Sequence, residues 1–244
     1  MQGKKVFDIL FLIGRPAAGK SEIIDFLKQS PAEIRSERFH IGDFTEIDDF
    51  PMLWTWFEED DILTRSGRHR MHTDDQGYFK DPFLWHLLIQ RLELDYWKFA
   101  RDTSGLGESR TVIIEFARGM EHGGFREAFS FFTDQLLRRG AVMYIDVPFE
   151  ESLRKNRRRF NPDKPDSILE HGLSDEKLTR LYKDSDWQVL SSTNPEYLQL
   201  GNNSVPYAIF SNNDDVTTGT NPALGPRLEE TLTSLWERYQ GTET

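Results

Sequence analysis

The run Phe7-Asp8-Ile9-Leu10-Phe11-Leu12-Ile13 and the loop that follows it, Gly14-Arg15-Pro16-Ala17-Ala18-Gly19-Lys20-Ser21, decide the fold of this chain. The apolar run is typical of a strand that is buried on both faces of a parallel sheet. The loop matches the pattern G-x-x-x-x-G-K-[ST] in full, and Ile23, Ile24 and Leu27 recur behind it at helical spacing. The stretch therefore predicts a strand, a glycine loop and a helix.

The spacing within the glycine loop (14–21) predicts a site for a nucleoside triphosphate. Gly14 and Gly19 let successive backbone N–H groups turn inward around a phosphate, and the start of the helix adds its unpaired donors. Lys20 would reach the outer phosphates, and the hydroxyl of Ser21 would ligate Mg²⁺. A structural turn with a chance lysine is the alternative. The predicted nucleotide contacts are Gly14, Arg15, Pro16, Ala17, Ala18, Gly19, Lys20 and Ser21.

Composition narrows the classes of protein to consider. The 244 residues include 30 basic and 41 acidic residues, a net charge of −11, which argues against a general nucleic-acid or anionic-membrane binder. There is no cysteine, so disulfides and thiolate metal sites are excluded. The basic and apolar N-terminus imitates a signal peptide, but Asp8 interrupts it and cleavage would destroy the glycine loop. No apolar run approaches the roughly 20 residues of a membrane span, and we expect a cytoplasmic protein.

The alternation of strands and helices predicts an α/β chain with a three-layer fold, in which a five-stranded parallel sheet has helices on both faces. The predicted strands cover residues 7–13, 38–41, 111–115, 141–147 and 207–210. Long helices are expected from Pro82 to about 103 and from Gly124 to Arg139. One domain over 1–244 would contain a helical acceptor-binding region at about 44–104 and a lid at about 150–186.

Two carboxylates follow predicted strands and are candidates for the site. Asp43 comes after the second strand, where it would accept a proton from a substrate hydroxyl or position a magnesium-bound water; a helix N-cap is the equal alternative. Glu115 ends the third strand and would hold Mg²⁺ or act as the base. Arg118 lies three residues further on, where it could bind a substrate phosphate or carboxylate.

Residues 47–63 are rich in aromatic side chains and acids. The preferred interpretation of this segment is a helix that packs its aromatic face on the core. The functional alternative is that a ring such as Trp54 stacks on a planar substrate. The segment 65–72 is cationic, and its Arg68 and Arg70 would suit an anionic substrate group. A solvated loop explains this segment at least as well.

A basic helix follows the fourth strand. Helical spacing brings Arg154, Arg157 and Arg158 to one face, where they would clamp a transferring phosphoryl group. The alternative is a solvated helix whose arginines pair with nearby acids. Residues 160–166 then have the composition of a mobile lid tip, and Ser174 is the expected cap of the returning helix.

Taken together, these residues resemble the P-loop kinases of small molecules, the group that includes adenylate, nucleoside, shikimate and gluconate kinases. The resemblance covers nearly the whole chain in the order of its motifs, and only the glycine loop is specific. It implies that 14–21 binds ATP, that Asp43 contacts the acceptor, and that Glu115 and Arg118 are the strand-end acid and the arginine after it. It also makes the basic helix a set of lid arginines and places Asn212 in the adenine-contacting turn 211–214.

The chain also departs from that pattern. The usual Gly-Ser or Gly-Ala in mid-loop is replaced by Ala17-Ala18, which should be tolerated if Ala17 avoids a positive φ. The Asp-Gly-x-Pro-Arg motif of adenylate kinases is absent, and the zinc-binding cysteines of some lids cannot exist here. A classical adenylate kinase is therefore disfavoured.

The leading hypothesis is an ATP- and Mg²⁺-dependent kinase of a small metabolite, with a nucleoside or nucleotide first and a sugar or hydroxy acid open. A nucleotide-gated binding or regulatory protein and a kinase-like toxin are the alternatives. No nucleic-acid or membrane partner is expected, and a homodimer stays open. The predicted catalytic residues are Lys20, Asp43, Glu115, Arg154 and Arg158, the acceptor contacts are Asp43, Trp54, Arg68, Arg70, Arg118 and Arg157, and the metal ligands are Ser21 and Glu115.

Overall fold

A mostly parallel six-stranded sheet forms the centre of the protein. The computed structural model describes residues 5–159, 173–219 and 221–241. In these ranges the strand order is β2-β3-β1-β4-β6-β5, and β5 alone runs antiparallel to its neighbour. The strands are β1 (Ile9–Gly14), β2 (Asp43–Asp48), β3 (Arg110–Phe116), β4 (Gly140–Asp146), β5 (Tyr197–Leu200) and β6 (Asn203–Ser211).

Helices cover both faces of this sheet, as predicted. One apolar core lies between the sheet and α4, α5, α6 and α9, and the other lies between the sheet and α1, α2 and α10. No helix among the described residues is long and apolar enough to cross a membrane. The helices are α1 (Lys20–Gln29), α2 (Ala32–Phe39), α3 (Phe50–Arg65), α4 (Leu84–Asp102), α5 (Gly124–Ser130), α6 (Asp134–Leu137), α7 (Phe149–Arg159), α8 (Asp175–Tyr182), α9 (Trp187–Ser191) and α10 (Leu224–Gly241), with a short 3₁₀ helix at Met120–His122.

Two predictions about the sheet were wrong. The sheet has six strands rather than five, because the short β5 forms a hairpin with β6 through Gly201 and Asn202. The second strand is not 38–41: α2 runs on to Phe39, which is buried, and the strand starts only at Asp43.

The helix predicted from Gly124 to Arg139 is two helices. α5 ends at Ser130, and α6 begins after Thr133, whose hydroxyl accepts the Leu136 N–H. The Thr133 N–H in turn donates to Glu93 of α4 at 2.8 Å. These bonds favour a break in the helix over its continuation. The predicted lid tip, 160–166, lies outside the described residues.

A buried carboxylate joins α3 to the loop after it. Asp60 is fully buried and accepts hydrogen bonds from the N–H groups of Met71, His72 and Thr73 and from the Thr73 hydroxyl. The Arg70 guanidinium lies 3.9 Å from it. Burial alone raises the pKa of Asp60, but the hydrogen bonds from Thr73 and the backbone outweigh it and lower the pKa to about 2. The ionised Asp60 therefore fixes the path of 70–73.

Replacing Asp60 should destabilise the protein in a pH-dependent way. We expect Asp60→Asn to lower the free energy of unfolding by about 2–3 kcal/mol at pH 7, because an amide cannot accept all four hydrogen bonds. The folded pKa lies below the unfolded value of about 3.9, so this contribution is complete above that value and is lost as the pH falls toward about 2. Urea titrations at several pH values measure it.

Asp61→Asn is the matched control for this experiment. Asp61 is exposed and contacts Arg70, so its replacement should cost less than about 1 kcal/mol. Equal losses in the two variants, or a loss in Asp60→Asn that stays constant down to pH 3, would contradict the assigned role.

Candidate functional site

The glycine loop has the predicted local structure. β1 ends at Gly14 and α1 begins at Lys20, with Gly19 at φ +111° between them. A Cβ on Gly19 would lie 2.6 Å from Oγ1 of Thr217 and 2.8 Å from Nδ2 of Asn212. Glycine is therefore required at this position by both its backbone angle and its surroundings.

Ala17 has a positive φ, although an alanine in mid-loop was expected to be tolerated only without one. Its φ is +55°, in the left-handed region, where an L side chain costs roughly 1–2 kcal/mol. Hydrogen bonds to the residues before and after Ala17 hold this conformation. Asn212 Nδ2 donates to Ala18 O at 2.7 Å, and Ser152 Oγ of α7 donates to Pro16 O at 2.7 Å. A strained residue that its neighbours hold in place is common at functional sites.

The side chains of Arg15, in the loop, and of Asn212, next to it, bond to other parts of the protein. Arg15 Nη2 donates to Lys183 O at 3.0 Å, and its Nε is buried without a hydrogen-bond partner in the described part of the chain. Asn212 is fully buried and also bonds Thr217. Sequence reasoning assigned both residues to nucleotide contact, but these contacts support the loop.

Lys20 and Glu115 meet at the open end of β1 and β3. The Lys20 ammonium lies 3.7 Å from Glu115 Oε1 and 3.2 Å from Arg15 O, and the lysine side chain is only 7% exposed. The β1–β3 register pairs Leu12 with Glu115, so the carboxylate leaves the sheet close to the loop. The structure thus brings the predicted lysine and acid together.

The second carboxylate of this site is Asp48 and not Asp43. The β2–β3 register pairs Asp48 with Glu115 and Asp43 with Arg110, at the opposite end of the strands. Asp43 is exposed, and its carboxylate lies 3.7 Å from Arg110. The prediction that Asp43 faces the ligand crevice was wrong because the strand begins at this residue instead of ending before it.

The surroundings of Asp48 favour its protonated form. Burial raises the pKa of Asp48 to about 8, and the charges of Glu115 and Asp49 act in the same direction. The Phe50 N–H, 3.0 Å from Oδ1, and the Lys20 ammonium act the other way with smaller effect. Ionising both carboxylates beside a single ammonium is therefore unfavourable, and a bound cation would favour the carboxylate form of Asp48.

The donor set fits Mg²⁺ bound together with phosphates. Ser21 offers a hydroxyl at the start of α1, and Glu115 and Asp48 offer carboxylates at two adjacent strand ends. Within the described ranges no cluster of three or more His, Asp or Glu side chains is arranged for a metal. Magnesium in phosphoryl-transfer sites commonly uses one or two protein carboxylates and takes its other ligands from water and phosphates.

Arg118 joins three elements of the structure. It is 2% exposed, and its Nη1 donates to Asp49 Oδ2 at 2.6 Å and to Ala117 O. Its Nη2 donates to Trp85 O at the start of α4, at 3.1 Å. The side chain borders the cavity described below, but its charge is already matched by Asp49. Its predicted role in binding a substrate anion gains no support here.

His122 lies near Arg118 and packs on the ring of Trp85. Burial, helped by the charges of Arg118 and His86, lowers the pKa of His122 to about 2, so its ring is neutral. Nδ1 accepts the Gly119 N–H at 3.4 Å, and the ring lies 3.8 Å from that of Trp85. It is a buried structural residue beside Trp85.

The remaining predicted cations are engaged elsewhere or exposed. Arg154 pairs with Glu151 and Asp215, and Arg157 pairs with Asp175, as the alternative of a solvated basic helix expects. Arg158 is exposed on α7 and Arg68 is exposed in its loop, whereas Arg70 is tied to the acids at 60 and 61. None of these five arginines is among the described residues that line the cavity.

One large cavity of about 1630 Å³ extends from the glycine loop between α3 and α8. Its floor holds the loop, Lys20 and the two strand-end carboxylates. Sequence reasoning identified Trp54 but missed most residues of the cavity walls. These residues lie in the loop before α4, at the start of α4 and on α8. The lining residues that sequence reasoning missed include Asp48, Tyr78, Phe79, Trp85, Lys177 and Arg180.

Comparison with known proteins finds only distant similarity to solved structures. No protein-family model and no curated protein matches the chain. Similar solved structures include TT1252 from Thermus thermophilus (14% identity, 96% of this chain and 98% of that chain, TM-score 0.45) and an unliganded sugar kinase from Janibacter sp. HTCC2649 (14%, 93% and 95%, 0.40). APE1195 is 11% identical over 95% of this chain and 97% of its own, with a TM-score of 0.39. Function is therefore inferred from the site's own residues.

Ala17→Gly should stabilise the protein. Removing the Cβ relieves the left-handed strain, and the greater freedom of glycine in the unfolded chain offsets part of the gain, so we expect an increase of up to about 1 kcal/mol in the free energy of unfolding. Thermal and urea unfolding without ligand measure it.

Ala18→Gly is the matched control, one residue further on. Ala18 is fully buried in the apolar core and has no positive φ, so its replacement should destabilise by about 1 kcal/mol. A loss of stability in Ala17→Gly comparable to that in Ala18→Gly would show that residue 17 is not strained.

Proposed function

We propose that this protein is an ATP- and Mg²⁺-dependent phosphotransferase that acts on a small molecule. One observation carries the proposal: Lys20, Glu115 and Asp48 meet at the floor of one cavity, beside a strained glycine loop at the start of a helix. Such a floor suits phosphates, and the cavity beyond it has room for a second substrate. A kinase-like α/β arrangement with helices on both faces of the sheet is consistent with it.

The residues would divide the work as follows. The loop N–H groups, the start of α1 and Lys20 would hold the phosphates and stabilise the charge that develops on transfer. Ser21 and Glu115 would hold Mg²⁺, which supplies further neutralisation of the phosphate oxygens when bound. Asp48 takes the role first given to Asp43: its carboxylate would orient the acceptor hydroxyl and receive its proton.

A nucleotide-gated binding protein is the second candidate function. The observation that favours it is the pairing of Arg154 and Arg157 with acids, since a protein that never clamps a moving phosphate has no need of free lid arginines. Arg158, exposed on α7, stays the predicted lid cation under the kinase proposal. The two functions differ in whether any acceptor increases turnover.

The first test is ADP release from Mg·ATP with pools of nucleosides, nucleotides, sugars and hydroxy acids. We expect at least one pool to raise turnover well above the rate without acceptor, and Lys20→Ala to reduce that rate by at least about 100-fold because charge stabilisation is lost. Lys28→Ala, on the same helix but paired with Glu46 at the surface, is the matched control and should retain full activity.

Two results would count against the proposal. Full activity in Lys20→Ala would remove the assigned site. Bound ATP with no stimulation by any pool would transfer support to the nucleotide-gated binder.

The role of Asp48 is tested by a pair of equivalent substitutions on one strand. We expect Asp48→Asn to lower kcat by about 10²–10⁴-fold, because the amide cannot accept the proton, while ATP binding is retained. Asp43→Asn, at the other end of β2, should leave kcat and KM unchanged. Steady-state kinetics with the acceptor from the stimulating pool measure both, and the reverse pattern would restore the original prediction.

A further inference from the structure

The buried side of α7 is polar. Ser152, Lys155 and Asn156 recur at helical spacing, and each of them is 7% exposed or less. A helix usually buries apolar side chains that pack on a core. These three side chains instead bond three different segments of the chain: the glycine loop, the turn after β6 and the segment before α8. The polar side of α7 therefore suits a connecting role better than hydrophobic packing.

The two outer residues of this side fix the position of α7. Ser152 Oγ donates to Pro16 O of the glycine loop at 2.7 Å. Asn156 Nδ2 donates to Leu173 O at 2.7 Å, and its Oδ1 accepts the Leu173 N–H at 3.1 Å. Lys155 lies between them in sequence, so its place beside the glycine loop is set by bonds on either side.

Lys155 holds the turn after β6. Its ammonium lies 2.6 Å from Asp215 Oδ1 and donates to Thr217 Oγ1 at 3.4 Å. Burial alone raises the pKa of Asp215, but the hydrogen bonds from Lys155 and Thr218 outweigh burial and lower that pKa. The buried ammonium is thus matched by an ionised carboxylate on this turn.

A series of hydrogen bonds continues from Lys155 to the glycine loop. Thr217 Oγ1, which accepts from Lys155, also accepts from Asn212 Nδ2 at 2.9 Å. The same Asn212 nitrogen donates to Ala18 O at 2.7 Å. Asn212 and Thr217 are 0% and 2% exposed, so water competes little for these bonds. The ammonium is therefore connected to the loop backbone through two buried side chains.

A buried lysine is a costly way to stabilise a fold. An ion pair removed from water often contributes no more stability than apolar packing would, and its best-attested use is to fix one specific arrangement. The glycine loop and the turn that packs on it each contain a residue with left-handed backbone, Ala17 and Asp215. Such conformations persist where the surrounding contacts hold them.

We propose that Lys155 is a positioning residue for phosphate binding. Through Thr217 and Asn212 it holds the glycine loop in the conformation that receives phosphates, and it is not among the described residues that line the cavity. This gives Asn212 a role different from the adenine contact predicted from the sequence. The inference rests on the proposed function for the presence of phosphates at the loop, and it needs no transfer to an acceptor.

Calorimetric titration with Mg·ATP, magnesium tripolyphosphate and adenosine tests this role. Lys155→Met removes the ammonium and keeps an unbranched side chain, and Thr217→Val removes the hydroxyl at nearly the same shape. We expect both substitutions to weaken Mg·ATP and tripolyphosphate by about tenfold or more, and by the same factor, because the effect is on the phosphates alone. Any binding of adenosine should be unchanged.

Two further variants separate positioning from general stability. Thr217→Ser keeps the hydroxyl and should bind both phosphate ligands as the wild type does. Arg139→Met removes the cation that lies 3.0 Å from the buried Asp8, at the other end of β1. It should lower the midpoint of thermal unfolding and leave the affinity for both phosphate ligands unchanged.

A double-mutant cycle tests the same role without any ligand. The gain in the midpoint of thermal unfolding from Ala17→Gly should be largely lost in the Lys155→Met background, because a loop that is no longer held can relax without the substitution. The gain should be retained in the Arg139→Met background. An equal gain in both backgrounds would count against the inference.

Other outcomes would also overturn it. They are wild-type affinity for phosphates in Lys155→Met and Thr217→Val, a loss for Mg·ATP without a loss for tripolyphosphate, and an equal loss in Arg139→Met. A wild-type protein that binds neither phosphate ligand would remove both this inference and the proposed site. The expected losses without turnover stimulated by any acceptor would leave the inference standing and remove the kinase, whereas stimulated turnover with unchanged affinities would do the reverse.

Discussion

The parallel register of β1, β2 and β3 is the constraint on which the site depends. Because the three strands run in the same direction, their carboxyl ends meet at one edge, with Asp48 opposite Glu115 and Glu115 opposite Leu12. The glycine loop leaves β1 at that edge, and Lys20 turns back to within 3.7 Å of Glu115. Asp48 and Glu115 are far apart in sequence, and the pairing of β2 with β3 brings them together. The core that fixes the register therefore also fixes the charges.

The register places two carboxylates, Asp48 and Glu115, beside one ammonium, that of Lys20. Burial, and after it the repulsion from Glu115 and Asp49, raises the pKa of Asp48 to about 8. A cation would relieve that repulsion, which is the condition under which a Mg²⁺–phosphate complex is bound favourably. The walls differ from the floor: Arg118 and Arg180 pair with carboxylates, and the rings of Phe57, Phe79 and Trp85 are half-buried. The cavity thus changes from an ionic floor to walls that are rich in aromatic side chains.

The sequence was sufficient for those parts of the site that local patterns encode. β1 and β3 are apolar runs that lead into the glycine loop and into a strand-end acid, so both patterns are visible locally, and the structure brings Lys20 within 3.7 Å of Glu115. β2 is an edge strand with a half-exposed, mixed sequence, Asp43-Phe44-Thr45-Glu46-Ile47-Asp48, and its weak pattern let the strand be placed five residues too early. That shift exchanged the two ends of the strand, and Asp43 was chosen in place of Asp48. The Gly201-Asn202 pair was a usable hairpin signal for β5 that was not applied.

Charge patterns in the sequence were poor guides because their partners are distant. The arginines at 70 and 118 suggested an anion site, but the fold gives them Asp60, Asp61 and Asp49 as partners. The aromatic residues of α3 misled in the other direction, since periodicity alone does not distinguish a face that meets a core from one that meets a cavity. Only the tertiary arrangement decides both questions.

The glycine loop is connected to both ends of the predicted lid. Ser152 of α7 donates to Pro16 O, and Arg15 donates to Lys183 O directly after α8, so the loop bonds to the chain on either side of 160–172. Ala17 comes directly after these two attachments and has the left-handed conformation. A change in the loop backbone would have to alter one bond or the other, because buried carbonyl groups and guanidinium donors are costly to leave unpaired. The strain at Ala17 and the positions of α7 and α8 therefore belong to one arrangement, in which the loop that would hold phosphates also sets how the cavity is enclosed.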